Sequence, residues 1–314
     1  MLVTVFGVRA GEEELFESYS AQLGFSVRLV YEEPDLDNLS EAEGSEAVLI
    51  RTKKFPRSYC ERLRDMGIHY LCTRSVGIEH IDLEACKDLG IECGNCNYPS
   101  SVVAEFSVML MLMGLRKVPL TVSLADVQDY TLTASRRGRM LQSCTVGVIG
   151  TGRIGSRVIE LLSAFGCRIL AYSRSRRLEG VEYVPLSTLL SSSDVITLHV
   201  PGQEKPLLGR EEFKLIKPGA VLVNTARGSL IDQKALLDAL ETGRVGYALL
   251  DVVEDEKIMY HLDRRGEAVT NRDYLLLKAS PRVYLTPHMA FFTQEAVVEL
   301  SRNSLEWVRD RIFK

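Results

Sequence analysis

The sequence has no excess of basic residues, since 38 Lys and Arg stand against 42 Asp and Glu for a net charge of −4. Proteins that bind a nucleic-acid backbone usually carry a basic patch and a high isoelectric point, whereas the isoelectric point here is 5.9. Long apolar runs are also missing: the longest, over 102–115, contains Glu105 and is shorter than a membrane-spanning helix. We therefore expect neither nucleic acid nor a membrane as a partner.

The first residues lack the cationic start and sustained apolar stretch of a secretory signal, so we expect a cytoplasmic protein. The seven cysteines are odd in number and do not have the spacing of a disulfide framework. Cys93 and Cys96 form one CxxC, but no second CxxC or pair of histidines could complete a zinc site. The cysteines are interpreted as reduced thiols, and no metal is predicted.

The 314 residues are enough for about two domains. Over the first hundred residues, short apolar runs alternate with helical patterns, as in a parallel sheet covered on both faces. After a long apolar helix near 101–117, six further apolar runs are separated by helices. The predicted fold class is therefore α/β, with two doubly wound parallel-sheet domains, the second suited to a dinucleotide.

The stretch TVGVIGTGRIG, residues 145–155, has the pattern of a dinucleotide-binding turn. Gly150, Gly152 and Gly155 follow a predicted strand and open a predicted helix. In such a turn the first glycine permits the bend, the second lets the backbone approach a pyrophosphate, and the third allows close helix packing. The helix N-terminus also favours an anion. A glycine-rich turn without a ligand is the alternative.

The tail over 293–313 has apolar residues spaced as on one face of a helix: Val298, Leu305, Val308 and Ile312. Because the sixth strand of the second domain precedes this helix, the helix is free to pack on the first domain. The sequence predicts a discontinuous substrate domain, residues 1–99 and 293–314, around an inserted nucleotide-binding domain, residues 100–292. The apolar helix and the segment that follows it, to Gln142, would suit a dimer interface.

Arg227, Glu256 and His288 are candidate catalytic residues. Arg227 and Asp251 come after predicted strands, and His288 lies just past the last one. Open α/β sheets bind ligands at the carboxyl ends of their strands. Considered alone, each could equally be a solvated loop residue or a member of a surface ion pair.

Six segments together resemble the D-isomer-specific 2-hydroxyacid dehydrogenases: TRSVGIEHID, GTGRIG, LHVP, NTARG, DVVEDE and TPHMAFFT. Within that family, the chain looks most like D-lactate dehydrogenases of the vancomycin-resistance type. Glu256 lies 32 residues before His288, and the aromatic Phe291 follows Ala290, as in the lactate-type branch. The resemblance implies a flavodoxin-like substrate domain, a Rossmann NAD(P)-binding domain and the reduction of pyruvate or a related 2-keto acid to the D-2-hydroxy acid.

The resemblance also implies roles for the candidate residues. Arg227 would hold the substrate carboxylate and polarise the ketone. His288 would donate the proton, and Glu256 would stabilise and orient its imidazolium. Two backbone N–H groups and an aromatic ring would complete the substrate site: Val76, Gly77 and Tyr98.

For the cofactor, the resemblance implies a set of thirteen contacts: Gly150, Gly152, Arg153, Ile154, Gly155, Ser173, Arg174, His199, Val200, Pro201, Thr225, Ala226 and Asp251, the last at the nicotinamide amide. Ser173 stands where the family has a ribose-binding Asp. An Asp would repel a 2′-phosphate, whereas Arg174 and Arg176 can donate to one. NADP(H) is therefore favoured over NAD(H). The alternative is that Arg174, Arg176 and Arg177 form a solvated loop.

Two departures from the family pattern leave the substrate open. Met289 replaces a small residue or Thr beside the proton donor, and Gly202-Gln203-Glu204 replaces a more usual loop. A reductase of a bulkier or unusual 2-keto acid is one alternative. A nucleotide-sensing, corepressor-like binding protein is another, although the three catalytic residues together favour an enzyme. The resemblance further implies a homodimer.

Overall fold

The computed structural model describes residues 1–175 and 178–313. In chain order its strands are β1 (Leu2–Phe6), β2 (Ser26–Val30), β3 (Ala47–Ile50), β4 (Tyr70–Thr73), β5 (Glu92–Asn95), β6 (Thr145–Ile149), β7 (Arg168–Tyr172), β8 (Glu182–Tyr183), β9 (Val195–Leu198), β10 (Ala220–Asn224), β11 (Val245–Leu250) and β12 (Val283–Leu285). The α-helices are α1 (Glu13–Leu23), α2 (Arg57–Asp65), α3 (Leu83–Asp88), α4 (Ser101–Leu115), α5 (Val118–Asp126), α6 (Arg153–Ser163), α7 (Leu186–Ser192), α8 (Arg210–Leu215), α9 (Gln233–Glu241), α10 (Arg272–Ala279) and α11 (Gln294–Ile312).

The chain divides into two compact units, Met1–Pro99 with Phe292–Lys314, and Ser100–Phe291. The first boundary falls where the sequence predicts it. The chain returns to the first unit at Phe292, one residue before the predicted position. The tail helix α11 belongs to the first unit, as its amphipathic spacing indicates.

The first unit is built on a parallel sheet of order β2-β1-β3-β4-β5, the arrangement of flavodoxin-like folds. Its central strand β3 is AVLI, with all four side chains buried, as expected for a strand covered on both faces. Helix α11 packs on α1 and β4. The ring of Trp307 occupies the place of a side chain at Gly94, because a Cβ there would lie 2.0 Å from the indole.

The second unit is built on a parallel sheet of order β12-β11-β10-β9-β6-β7-β8. Strand order reverses between β6 and β9, which is the topological switch point where doubly wound sheets bind dinucleotides. Apolar clusters cover both faces of this sheet. The two wholly parallel sheets confirm the predicted α/β, doubly wound fold class.

Two strands were not among those predicted from the sequence. Strand β5 reads ECGN and β8 is only two residues long. Both are edge strands, so pairing with a single neighbour stabilises them, and they need no continuous apolar run.

The predicted helix near 101–117 ends at Leu115. Lys117 takes a left-handed conformation with φ of 53°, after which α5 begins. Within the described residues, no single helix has the length and apolar character to cross a membrane. Helices α4 and α5, bent by 63° to each other, meet that criterion only as a pair.

Candidate active site

The glycine turn, residues 150–155, joins β6 to α6. Gly150 has φ of 96°, and its N–H donates to the carbonyl of Tyr172 at 2.8 Å. A Cβ at Gly150 would lie 2.4 Å from the carbonyl oxygen of His199, and one at Gly155 would lie 1.9 Å from the oxygen of Gly150. Both positions therefore require glycine, for the bend and for the close packing of the helix.

Gly152 differs from the other two glycines because a Cβ there would meet no atom of the described residues within 4 Å. It is the N-cap of the eleven-residue helix α6 and, having no side chain, makes no capping hydrogen bond of its own. The open space lies at the positive end of a helix dipole, where the backbone N–H groups of a first helical turn favour an anion. Arg153, exposed, and Ile154, half-buried, form the first turn. The turn thus fits the pyrophosphate of a dinucleotide.

The predicted contacts His199, Val200 and Pro201 follow β9. The His199 N–H donates to the carbonyl of Ile149 at 2.7 Å, which attaches this segment to the end of β6. Its Nε2 is 2.9 Å from the Thr197 hydroxyl. Burial lowers the pKa of His199 to about 3, so its imidazole is neutral at physiological pH. The backbone of His199 lies against the glycine turn, and the contact of its side chain with a cofactor stays a prediction.

Ser173 and Arg174 follow β7. The hydrogen bond between Gly150 and Tyr172, one residue before Ser173, holds the end of β7 against the glycine turn. Ser173 is half-buried and Arg174 is exposed. The sequence also predicted that Arg176 donates hydrogen bonds to a 2′-phosphate, or else that Arg176 and Arg177 belong to a solvated loop. These two residues lie outside the described residues.

Asn224, at the end of β10, shapes the turn that carries Arg227. Its Oδ1 accepts from the N–H of Ala226 at 3.0 Å, and its Nδ2 donates to the carbonyl of Arg227 at 2.9 Å. Thr225 lies 2.8 Å from the hydroxyl of Ser107. The sequence analysis missed Asn224, although a polar residue at the end of a wholly apolar strand could have indicated it.

Gly228 brings the Arg227 turn against the segment that carries Glu256. A Cβ at Gly228 would lie 2.1 Å from the backbone carbonyl of Val253. The N–H of Val253 donates to Glu256 Oε2 at 3.0 Å. The arginine and the glutamate, 29 residues apart in sequence (256 minus 227), therefore lie on turns in direct contact.

Glu256 and His288 form an ion-pair geometry, with Glu256 Oε1 2.5 Å from His288 Nδ1. Their side chains are 16% and 31% exposed, so the pair is mostly removed from water but accessible. Because a carboxylate can only accept, Nδ1 carries a hydrogen and Nε2 is the nitrogen that does not face Glu256. His288 has φ of 50°, in the left-handed region that non-glycine residues rarely adopt.

Asp251, fully buried after β11, holds the loop on which His288 lies. Its Oδ1 accepts from the Thr286 hydroxyl at 2.6 Å and the Met289 N–H at 2.9 Å, and its Oδ2 accepts from the Ala290 N–H at 2.9 Å. Burial raises the pKa of the Asp251 carboxyl, although these donors act in the opposite direction. Its contact with a nicotinamide amide stays a prediction, beside this observed bracing of the loop.

The predicted substrate residues Val76, Gly77 and Tyr98 belong to the first unit, after the carboxyl ends of β4 and β5. Val76 is 39% exposed, and its carbonyl accepts from Asn95 Nδ2 at 2.6 Å. The Ser75 hydroxyl donates to the Gly77 carbonyl at 2.6 Å. Tyr98 is half-buried. Their role in holding a carboxylate stays a prediction.

No group of three or more His, Cys, Asp or Glu side chains among the described residues could hold a metal ion. The two cysteines of the CxxC face different neighbours: Cys96 Sγ is 3.6 Å from Cys72 Sγ, whereas Cys93 interacts with Cys86. All seven cysteines are free thiols.

Known proteins are similar to this chain in sequence and in fold. The family model described as the NAD binding domain of D-isomer specific 2-hydroxyacid dehydrogenases matches residues 108–290. The D-specific alpha-keto acid dehydrogenase of Enterococcus faecium is 38% identical over 314 residues, covering 98% of this chain and 97% of that relative.

Two solved structures extend this similarity to the whole chain. D-2-hydroxyisocaproate dehydrogenase matches with a TM-score of 0.89 at 30% identity, over 99% of this chain and 97% of its own. The D-lactate dehydrogenase with NAD⁺ from Lactobacillus jensenii matches with a TM-score of 0.84 at 28% identity, over 99% and 97% of the two chains.

The matched segment contains the glycine turn and all three candidate catalytic side chains, Arg227, Glu256 and His288. An NAD binding domain, together with a related structure that contains NAD⁺, supports a nicotinamide cofactor. The chain therefore belongs to the D-isomer-specific 2-hydroxyacid dehydrogenases, close to the D-lactate dehydrogenases, and is an oxidoreductase.

Proposed function

We propose that this enzyme reduces a 2-oxo acid to the D-2-hydroxy acid, with His288 as proton donor, Glu256 as its partner and Arg227 as the substrate anchor. The observation that carries the proposal is the 2.5 Å contact between Glu256 Oε1 and His288 Nδ1. It orients the ring and leaves Nε2 as the nitrogen from which a proton can leave. The nicotinamide, when bound, supplies the hydride for the carbonyl carbon.

His288 and Glu256 divide the work of the proton transfer. The carboxylate beside Nδ1 stabilises the imidazolium, which holds a transferable proton on Nε2. After Nε2 has given its proton to the substrate oxygen, the ring is neutral with its remaining hydrogen on Nδ1. That hydrogen still donates to Glu256, so the ring keeps its orientation through the reaction.

Arg227 suits the substrate anchor because its guanidinium presents a planar set of donors that matches a carboxylate. Its backbone is extended, with φ of −145°, and is braced by Asn224 and by Ala226, whose carbonyl accepts from Nη1 at 2.8 Å. The half-buried guanidinium therefore starts from a fixed turn. The positive charge of Arg227 next to the ketone oxygen would also polarise the carbonyl for reduction.

We infer that NADPH is preferred over NADH. Ser173 follows β7 beside the glycine turn, where an acidic residue would repel a 2′-phosphate, and the adjacent Arg174 is exposed and cationic. The test is the ratio of kcat/KM for NADPH to that for NADH, in the wild type and in Ser173→Asp. We expect a ratio above 1 that falls in the variant. A wild-type ratio below 1, or an unchanged ratio in the variant, would contradict the inference.

The substrate is inferred to be pyruvate or a 2-oxo acid with a larger apolar side chain. Met289, 38% exposed, follows His288, and the Phe291 ring lies 6.3 Å from the His288 ring. These apolar groups favour a 2-oxo acid whose side chain is itself apolar and larger than a methyl group. D-2-hydroxyisocaproate dehydrogenase has the same fold.

One spectrophotometric panel at 340 nm tests the reaction and the substrate together. Pyruvate and 2-oxo acids with branched and aromatic side chains are each offered with NADPH and with NADH. Oxidation of the cofactor by at least one acid, with formation of the D-isomer, is expected. No oxidation with any acid would refute the proposed reaction.

We also propose that two copies of the chain associate through the second unit, and that the protein works in a reducing compartment such as the cytoplasm. Large apolar side chains on α4, in the segment after α4 and just past the end of α6 are exposed: Met109, Val122, Val127, Tyr130, Leu132, Met140 and Phe165. Exposed apolar groups concentrated in this way are typical of an interface. Light scattering should give twice the 35.1 kDa of one chain, whereas 35.1 kDa at all concentrations would refute the dimer.

A further inference from the structure

We infer that His261 is a positioning residue for the proton donor, holding the backbone of His288 in the conformation that the proposed reaction needs. The inference deepens the proposed function and rests on it. His261 Nε2 lies 3.1 Å from the backbone oxygen of His288. No motif in the sequence singled out this second histidine, which lies within the long segment between Glu256 and His288.

The chemistry of the contact defines which atom donates. A backbone carbonyl oxygen can only accept, so the hydrogen is on His261 Nε2. The imidazolium and one neutral tautomer both carry that hydrogen, and the bond therefore does not depend on the charge of His261. The two histidine rings are 6.0 Å apart, and each lies 6.3 Å from the Phe291 ring.

The chain places His261 there by a tight reversal after Glu256. The N–H groups of Met259 and Tyr260 both donate to the Glu256 carbonyl, at 2.9 and 2.8 Å. Both side chains pack against the apolar cluster of the second unit, which anchors the turn. His261 then adopts a left-handed conformation, with φ of 65°, and its ring reaches the His288 backbone.

His288 needs support on both sides because its own backbone is left-handed, with φ of 50°. On the amino side, its N–H lies 2.8 Å from the Asp251 carbonyl and 3.0 Å from the Thr286 carbonyl. On the carboxyl side, its carbonyl accepts from His261. An unfavourable backbone conformation persists only where surrounding contacts hold it.

The consequence is that one short segment holds His288 at two points. Glu256 binds the ring at Nδ1, and His261, five residues later, binds the backbone carbonyl. Without the second contact, the peptide after His288 can rotate, and the position of Nε2 moves with it. Small displacements of a catalytic group lower the rate of the chemical step more than substrate affinity.

Three variants test the inference. His261→Leu removes the donor, whereas His261→Gln places an amide Nε2 at similar reach and can restore the bond. His69→Leu is the matched control, because the Nδ1 of His69 lies 3.3 Å from a backbone carbonyl, that of Gly90, in the first unit before β4.

We expect His261→Leu to lose about 10-fold or more in kcat, the scale expected for a displaced catalytic group, with a much smaller change in KM. The kcat of His261→Gln should stay within about 3-fold of the wild-type value, and the kcat of His69→Leu should equal the wild-type value. The solvent deuterium isotope effect on kcat should rise in His261→Leu, because proton transfer then limits the rate. In ¹H–¹⁵N spectra, the amide signals of Met289 and Ala290 should shift in His261→Leu and return in His261→Gln.

Two results would overturn the inference while the proposed function stands: an active wild type with undiminished kcat in His261→Leu, or a His261→Gln variant as impaired as His261→Leu. An inactive wild type refutes the proposed function instead. In that case the amide signals decide the inference, and unchanged Met289 and Ala290 signals in His261→Leu would overturn it.

Discussion

The His199 side chain provides a quantitative prediction about acid stability. Burial lowers its pKa from 6.5 to about 3 in the folded protein. Between these two values the unfolded chain binds a proton at this residue and the folded chain does not, so acid favours unfolding. The stability held at neutral pH is lost as the pH falls below 6.5, and the loss continues down to about pH 3.

At pH 5, which is about 1.5 pK units below the pKa of His199 in the unfolded chain, protonation of this residue lowers the free energy of unfolding by about 2 kcal/mol. At pH 7 the same effect is only about 0.2 kcal/mol. Urea unfolding of the wild type should therefore give a free energy of unfolding that falls, between pH 7 and pH 5, by about 2 kcal/mol more than in His199→Gln.

Far-UV circular dichroism is the suitable probe for this experiment. Tryptophan fluorescence would report on the first unit, which contains the single tryptophan, Trp307, whereas His199 lies in the second. His199→Gln is expected to be less stable than the wild type at pH 7, because the contact between the imidazole and the Thr197 hydroxyl is lost, but the decisive quantity is the change with pH. Equal losses in the two proteins would show that the folded protein accepts a proton at His199, and would refute the argument.

Three further predictions concern the second unit. Gly152→Ala should fold with a melting temperature near that of the wild type, because the new methyl meets no atom within 4 Å in the part of the chain that the structure describes. The KM for cofactor should nevertheless rise about 10-fold or more, as the methyl fills the pyrophosphate position; an unchanged KM would contradict the assignment of the turn. Burial raises the pKa of Asp194, but two cationic side chains and a backbone N–H outweigh it and lower the pKa to about 2. Asp194→Asn should therefore cost about 2 kcal/mol at pH 7, a difference that shrinks as the pH falls from 4 towards 2, and a difference independent of pH would argue against it. Arg227→Gln and His288→Ala should each lower kcat/KM about 100-fold or more, and near-normal turnover in either would refute its role.

Much of the second unit was predictable because its signals are local. Gly150 and Gly155 are required by contacts within a few residues or with the neighbouring strand end, and their spacing announces the turn. Apolar runs such as AVLVN, wholly buried in β10, identify a parallel sheet directly. The strands that escaped prediction, β5 and β8, are short edge strands whose residues owe their conformation to a neighbour.

The candidate site divides along the same line. Arg227, Glu256 and His288 were identified through motifs, because each motif lies at the end of a strand or just beyond it. The residues that hold them were not: Asn224 under the Arg227 turn, and His261 beside the His288 backbone. Asp251 was predicted as a cofactor contact, whereas the structure also shows it bracing the His288 loop.

The sequence by itself determined the two parallel α/β domains and the dinucleotide turn, and it singled out the candidate catalytic side chains, since periodicity, glycine spacing and short motifs encode these features. Only the tertiary structure decided that Glu256 Oε1 lies 2.5 Å from His288 Nδ1, and that His261 reaches the carbonyl of the same histidine. These contacts join residues 32 and 27 positions apart. Their geometry depends on how the segment between them packs against the core, and no local pattern records that.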